Sequence, residues 1–257
     1  MSAPTVVVWF SCGAASAAAA KLTIDLFGKE NVRVVNNPVA EEGDDNPRFL
    51  RDVEKWLGVE IENRPNPKFP SNSAYDVWEK EKAMAFPTGA PCTRHLKKAA
   101  RQLWESENRF DYLVMGFTVE EQDRFDNFKL GERDNILPVL IDAGMTKDDC
   151  ARMVVAAGIR LPVSYELGYP NANCFGYVKA TSPTYWNHVR KVHPDVFASR
   201  AEQSRRLGAR LVRVKGVRIF LDELSPDAKG RPMKTLQMPD CGIFCEEQPT
   251  SAEAGEN

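Results

Sequence analysis

The chain has 257 residues, with 34 basic and 36 acidic side chains and a formal charge of −2. That length buries a core the size of one α/β domain plus an appendage, and the near-balance of charge argues against a surface dominated by a nucleic-acid-binding field, although the charge is unevenly spread. No run approaches the roughly 20 apolar residues of a membrane span and no secretory leader is seen, so the six cysteines read as thiols, metal ligands or redox groups of a cytoplasmic protein.

Residues 5–10 are rich in β-branched and aromatic side chains and are predicted to form a buried strand. The alanine run 17–20, followed by Lys21 and Leu22, predicts a helix. Between them, Ser11-Cys12-Gly13-Ala14-Ala15-Ser16 holds only small side chains. Such a turn either packs tightly between strand and helix, or offers backbone N–H groups to an anion at the positive end of the helix. It has neither the Gly-Lys-Ser/Thr of a Walker loop nor the spacing Gly-x-Gly-x-x-Gly.

Residues 31–36 predict a second strand, and the polar loop 36–45 leaves it at the carboxyl edge, where open α/β sheets bind ligands. Phe49, Leu50, Val53, Trp56 and Leu57 recur at helical spacing over 46–58, and Gly58 stops that helix. A short strand over 59–62, a proline- and asparagine-rich loop over 65–73 and a helix over 75–85 follow. Cys92 and Thr93 then open a helix with Arg94, His95, Lys97 and Lys98 close behind. This is either an N-capped, solvated helix or an anion clamp with a thiol of lowered pKa.

A strand over 111–116 runs into Gly116 and the segment 117–124. Alone, Glu121 and Arg124 make a solvated helical ion pair. A last strand is predicted over 135–141 and a helix over 147–157, N-capped by Thr146. Residues 161–170 carry neither periodicity, and helical stretches return over 185–190 and 194–207. The segment from Arg190 to Arg218 holds seven arginines and two lysines against Asp195 and Glu202. It is either a solvated face or a surface for phosphates, RNA or DNA. The acidic tail 248–257 is expected to be disordered. Cys241 and Cys245, with Cys174 and Cys92, form either a soft-ligand set or buried thiols. Cys12 and Cys150 are not expected to be ligands.

In order along the chain, four motifs resemble the phosphoadenosine phosphosulfate (PAPS) reductase branch of the adenine-nucleotide alpha-hydrolase-like superfamily, which also holds the PP-loop ATP pyrophosphatases. They are Ser11-x-Gly13-x-x-Ser16, Cys92-Thr93-x-x-Leu96-Lys97, Gly116-x-x-x-x-Glu121-x-x-Arg124 and Asp240-Cys241-Gly242-Ile243-Phe244. The last is similar to a terminal Glu-Cys-Gly-(Ile/Leu)-His signature. The chain departs at Ala15, where pyrophosphatases carry aspartate, at Tyr177, where relatives show the second cysteine of Cys-x-x-Cys, and at Phe244 in place of histidine.

The resemblance implies an α/β, Rossmann-like (HUP-type), mostly parallel sheet over residues 1–160 and a smaller, mainly helical, cysteine-containing lobe over 161–247. It implies an adenine nucleotide, PAPS or ATP, with Ser11, Gly13, Ala14 and Ser16 at its phosphates and Asn36, Gly116, Glu121 and Arg124 along it. Arg94 and Lys97 would neutralise phosphate or sulfate. Cys241 would attack activated sulfur with a thiol electron donor, or Cys92, Cys174, Cys241 and Cys245 would hold a [4Fe–4S] cluster. Two alternatives stand beside this reductase. One is ATP-dependent thiolation or modification of a nucleic-acid base gripped by residues 190–218; the other is a nucleotide-binding protein that has lost catalysis. The expected partner is a small nucleotide, with no membrane; a thiol electron donor, nucleic acid along residues 190–218 and a second copy of the chain are left open.

Overall fold

The protein is described by a computed structural model that covers residues 3–236. Cys241, Cys245 and the tail 248–257 lie outside the described residues. The fold begins with β1 (Val6–Phe10), α1 (Ala14–Phe27), β2 (Val32–Asn36), α2 (Asn46–Leu57), β3 (Ile61–Asn63) and α3 (Ala74–Glu81). A wide π-type turn over Thr93–Ala99 leads into α4 (Ala100–Glu107), then β4 (Tyr112–Met115), α5 (Gln122–Gly131), β5 (Ile136–Leu137), α6 (Val139–Asp142) and α7 (Lys147–Ala156). The chain continues through α8 (Val163–Glu166), α9 (Pro183–Val192) and α10 (Pro194–Arg206) to an antiparallel hairpin, β6 (Val212–Val214) and β7 (Val217–Ile219).

β1 to β5 form one all-parallel, five-stranded sheet in the order β3-β2-β1-β4-β5, flanked by helices. This is an α/β, Rossmann-like arrangement. Every residue of β1 is buried, as expected of a central parallel strand covered on both faces. The chain leaves β1 to one side for β2 and β3, then returns to the other side for β4. The carboxyl ends of β1 and β4 therefore flank the point where the winding reverses, the place at which such sheets hold ligands.

One core joins β1 and β2 to α1, α2 and α7. Ala14, Ala17, Ala18, Ala19 and Ala20 of α1 are all buried there, and their small size seats the helix close to the sheet. A second core is built from Phe69, Trp78 and Met84 together with Tyr185, Trp186 and Leu211, so the carboxyl-terminal helices share their interior with residues 69–96. Trp9, Trp104, Leu113 and Phe117 fill the opposite face of the sheet.

Two differences from the predicted elements stand out. The strand expected over 135–141 is two residues long, because Pro138 has no N–H for the ladder and instead precedes α6. The hairpin β6–β7 was not expected. Among the described residues, no helix is long and apolar enough to cross a membrane.

Candidate functional site

The turn after β1 is closed by Ser16. Its hydroxyl donates to the Gly13 carbonyl at 2.9 Å and accepts from the Ser11 amide at 3.1 Å, with the Gly13 amide at 3.4 Å. Cys12 makes this curl by taking the left-handed region at φ 53°, a conformation costing about 1 kcal/mol or more in a non-glycine residue. The amides before α1 thus converge on one point at the positive end of a 14-residue helix. Gly116, at the end of β4, closes the turn from the other side. A Cβ there would lie 2.8 Å from the Ser16 nitrogen and 2.9 Å from the Ala15 carbonyl carbon. Ser11, Gly13, Ala14, Ser16 and Gly116 are therefore brought together at the reversal point.

A cleft of about 810 Å³ opens beside this turn, at the carboxyl ends of β1, β2 and β3. Cys12, Asn36 and Asn63 line it together with the acids Glu42, Asp44 and Glu54. Asn36 is 3% exposed. Its Nδ2 donates to Asn63 Oδ1 at 2.8 Å, while its own Oδ1 is buried without a partner. A wall rich in acceptors suits the donors of a base and ribose; phosphate is favoured at the helix end.

The loop leaving β2 ties the remaining pieces to the sheet. Glu41 caps α3, accepting from Ser73 Oγ at 2.7 Å, the Ala74 amide at 2.7 Å and the Tyr75 amide at 3.0 Å. Its backbone carbonyl accepts from the Phe175 amide at 3.1 Å. Glu42 accepts from Lys97 Nζ at 2.6 Å. Burial opposes charge on Lys97, but the Glu42 carboxylate outweighs it and holds the ammonium well above the ordinary lysine range. Asp45 accepts from the Val163 amide at 3.1 Å, and Arg48 donates to the carbonyls of Arg160 at 2.8 Å and Leu161 at 3.1 Å.

These tethers bring Cys92 and Cys174 into one neighbourhood. Burial raises both thiols, Cys174 to about 12; each thiol also feels the other or the cations beside it, Lys97 at Cys174 and Lys179 at Cys92. Cys12 is likewise pushed to about 12, first by burial and then by Glu42. Nearby, the Trp78 indole N–H acts on the Cys92 thiol and opposes the effect of burial, the buried Nε of Arg200 has no acceptor, and Arg200 lies over the Trp78 ring at 4.6 Å. The Arg200 guanidinium is depressed by burial and supported by Glu41, Cys174 and Cys92. Among the described residues, no group of three or more His, Cys, Asp or Glu is placed to hold a metal ion, and the other two expected ligands, Cys241 and Cys245, lie outside them.

Of the predicted cations, Lys97 reaches the cleft wall through Glu42, and the Arg124 and Lys97 charges both act on Tyr177. Arg124 is bound to Glu121 at 2.6 Å and is 72% exposed. Arg94 pairs with Glu81, which also meets His95 Nε2 at 2.8 Å. The π-type turn carries Arg94 towards α3, away from the turn after β1. Sequence reasoning missed Glu42, Tyr165 and Arg200. The buried acid inside a solvent-like loop gave no periodic signal, and the other two act through contacts distant in sequence. No protein-family profile and no curated protein matches this chain.

Proposed function

We propose that this chain is an adenine-nucleotide-binding enzyme of sulfur chemistry, PAPS-reductase-like, with a HUP-type sheet and a cysteine-bearing carboxyl-terminal lobe. The observation that carries this reading is the adjacency of the serine-closed turn before α1 to an acceptor-lined cleft at the reversal point of a parallel sheet, with Cys174 beside Glu42 of the cleft wall and its partner Lys97. The base and ribose would lie in the cleft, with Asn36 Oδ1 accepting from the exocyclic amine. The phosphates would take the amides before α1, and Lys97 and Arg124 would balance their charge.

In this reading the Cys241 thiolate attacks the sulfonate sulfur of PAPS. An S–S bond forms, the S–O bond to phosphate breaks, and adenosine 3′,5′-bisphosphate leaves with the bonding pair. A dithiol donor then attacks Cys241 Sγ, releasing sulfite, and its second thiol closes the donor disulfide, so sulfur gains the two electrons that the dithiol loses. Alternatively, Cys92, Cys174, Cys241 and Cys245 would hold a [4Fe–4S] cluster, in which case Cys241 is a ligand and not the nucleophile; a cluster supplies a centre able to bind and polarise sulfur.

The base-modification alternative has less support. Arg190, Arg205, Arg206 and Arg218 are engaged within the chain by Leu224, Asp222 and Glu223, Glu79, and Leu211, and Arg200 is buried over Trp78. The direct test incubates anaerobically purified protein with PAPS and a dithiol and measures sulfite, with metal analysis of the same sample. Sulfite release that vanishes in Cys241→Ala supports the reading; release unchanged by that substitution, or none from folded protein, rejects it.

A further inference from the structure

The β6–β7 hairpin carries cations that the chain itself does not neutralise. Arg213 and Arg218 stand directly opposite each other across it. The Arg213 amide points away from β7 and donates to the Thr181 carbonyl at 2.9 Å. The two arginines therefore occupy a non-hydrogen-bonded pair, the kind in which side chains lie closer. Like charges placed in this way oppose strand pairing. The turn joining the strands has φ 46° at Lys215 and 86° at Gly216, and it puts lysine where asparagine, aspartate or glycine is the usual choice. Neither feature serves the hairpin's own stability.

The faces of the hairpin are fixed by packing. Val212 is fully buried, and Val214 and Ile219 pack against the second core, so the alternate side chains of Arg213 and Arg218 point outward. Both are exposed, as is Lys215. Exposed Arg231 is brought to the same edge, because Ser182, next to Thr181, donates from Oγ to the Arg231 carbonyl at 2.8 Å. Arg205 and Arg206 of α10 pair with Asp222, Glu223 and Glu79. Among the described residues, none of Arg213, Lys215, Arg218 and Arg231 pairs with a carboxylate. Arg218 donates to the Leu211 carbonyl at 2.8 Å, which fixes its guanidinium and leaves the charge uncompensated. The basic segment thus divides: α10 directs its charges into the chain, and the hairpin presents them to solvent.

We propose that this face docks the phosphate backbone of duplex DNA, independently of the nucleotide site. Backbone phosphates supply the counter-charge that the hairpin lacks. A single strand is held by stacking its bases on aromatic rings. Here Tyr185 and Trp186 are buried, and Phe220 lies under Arg205 and Arg210 at 3.9 Å and 5.2 Å. A two-stranded ribbon fits the major groove of B-form DNA, whereas the major groove of an RNA duplex is too narrow for it. The tip at Lys215 enters the groove while Arg213, Arg218 and Arg231 meet phosphates at its edge. Backbone charge, not base sequence, governs the contact.

The experiment is fluorescence anisotropy of a labelled, mixed-sequence DNA duplex titrated with the full chain over a salt series. With these cations on phosphates, log affinity should fall against log salt with a slope of about −3 to −4. Arg213→Gln combined with Lys215→Gln should reduce that slope by about two and weaken binding at low salt by about tenfold or more. Arg152→Gln, which removes a charge from α7, should leave both unchanged. No binding to the duplex at low salt overturns the proposal, as does a slope that the double variant leaves unaltered. Equal or tighter binding of the single strand, or of an RNA duplex of the same sequence, overturns it too. The unsubstituted protein's slope and duplex preference decide the matter even where the variant is unstable.

Discussion

Lys97 Nζ donates to Glu42 Oε1 at 2.6 Å, joining the helical segment that follows Cys92 to the loop that leaves β2. The Glu42 side chain is 5% exposed and that of Lys97 39%. Replacing the carboxylate by an amide leaves the ammonium facing a neutral group. Glu42→Gln should cost about 1–2 kcal/mol in urea unfolding at pH 7, less than a fully buried pair because water reaches the lysine. The Lys97 value is raised above 10.5 in the folded chain. Its stabilisation is therefore fully present below that pH and lost as pH rises through the folded value. The gap between parent and variant should narrow in alkaline unfolding series. A constant gap would show that the pair carries no charge-dependent stability.

Gly116→Ala tests the close approach of β4 to the phosphate turn. The added methyl meets backbone at 2.8 Å and 2.9 Å, and backbone cannot swing aside as a side chain does. The variant should lose about 1–3 kcal/mol and bind adenine nucleotides at least about tenfold more weakly. Parental stability and affinity would mean the two segments are not held together.

Glu79 links α3 to α10: it pairs with Arg206 and accepts from Gln203 Nε2 at 2.6 Å. The Arg206 hydrogen bond, opposed by burial and helped by Gln203, lowers its carboxyl from 4.5 to about 2. A lowered value gives stability that is present above pH 4.5 and is lost as pH falls toward 2. Acid unfolding should show this dependence, and Glu79→Gln should flatten it in that window while leaving the slope near neutrality unchanged. An identical acid limb in both proteins would contradict the assignment.

The sequence was legible where local chemistry decides structure. β1, the small-residue turn and α1 follow from adjacent periodicities; Gly58 ends α2 at φ 67°; and Thr146 caps α7, accepting from the Asp149 amide at 3.1 Å. What was not legible depends on distant partners. Arg94 stands in a cationic run, but the π-type turn delivers it to Glu81. The alternation Val212-Arg213-Val214, Lys215-Gly216, Val217-Arg218-Ile219 holds a hairpin that the charge count masked. The same arginine-rich stretch reads as a polyanion surface until the partners of Arg205 and Arg206 are seen on Asp222, Glu223 and Glu79.

The most direct test of the central claim is calorimetric titration of the folded protein with adenosine 3′,5′-bisphosphate and ATP, with GTP as the control and Gly13→Val alongside. Micromolar binding of at least one adenine nucleotide, about −8 kcal/mol at a Kd of 1 μM, is the predicted result. GTP, which lacks the amine that Asn36 Oδ1 would accept, should bind at least about tenfold more weakly, and Gly13→Val should remove binding without unfolding the chain. No heat from any adenine nucleotide at millimolar concentration, or equal affinity in Gly13→Val, would contradict the assignment of the turn after β1 as a phosphate site.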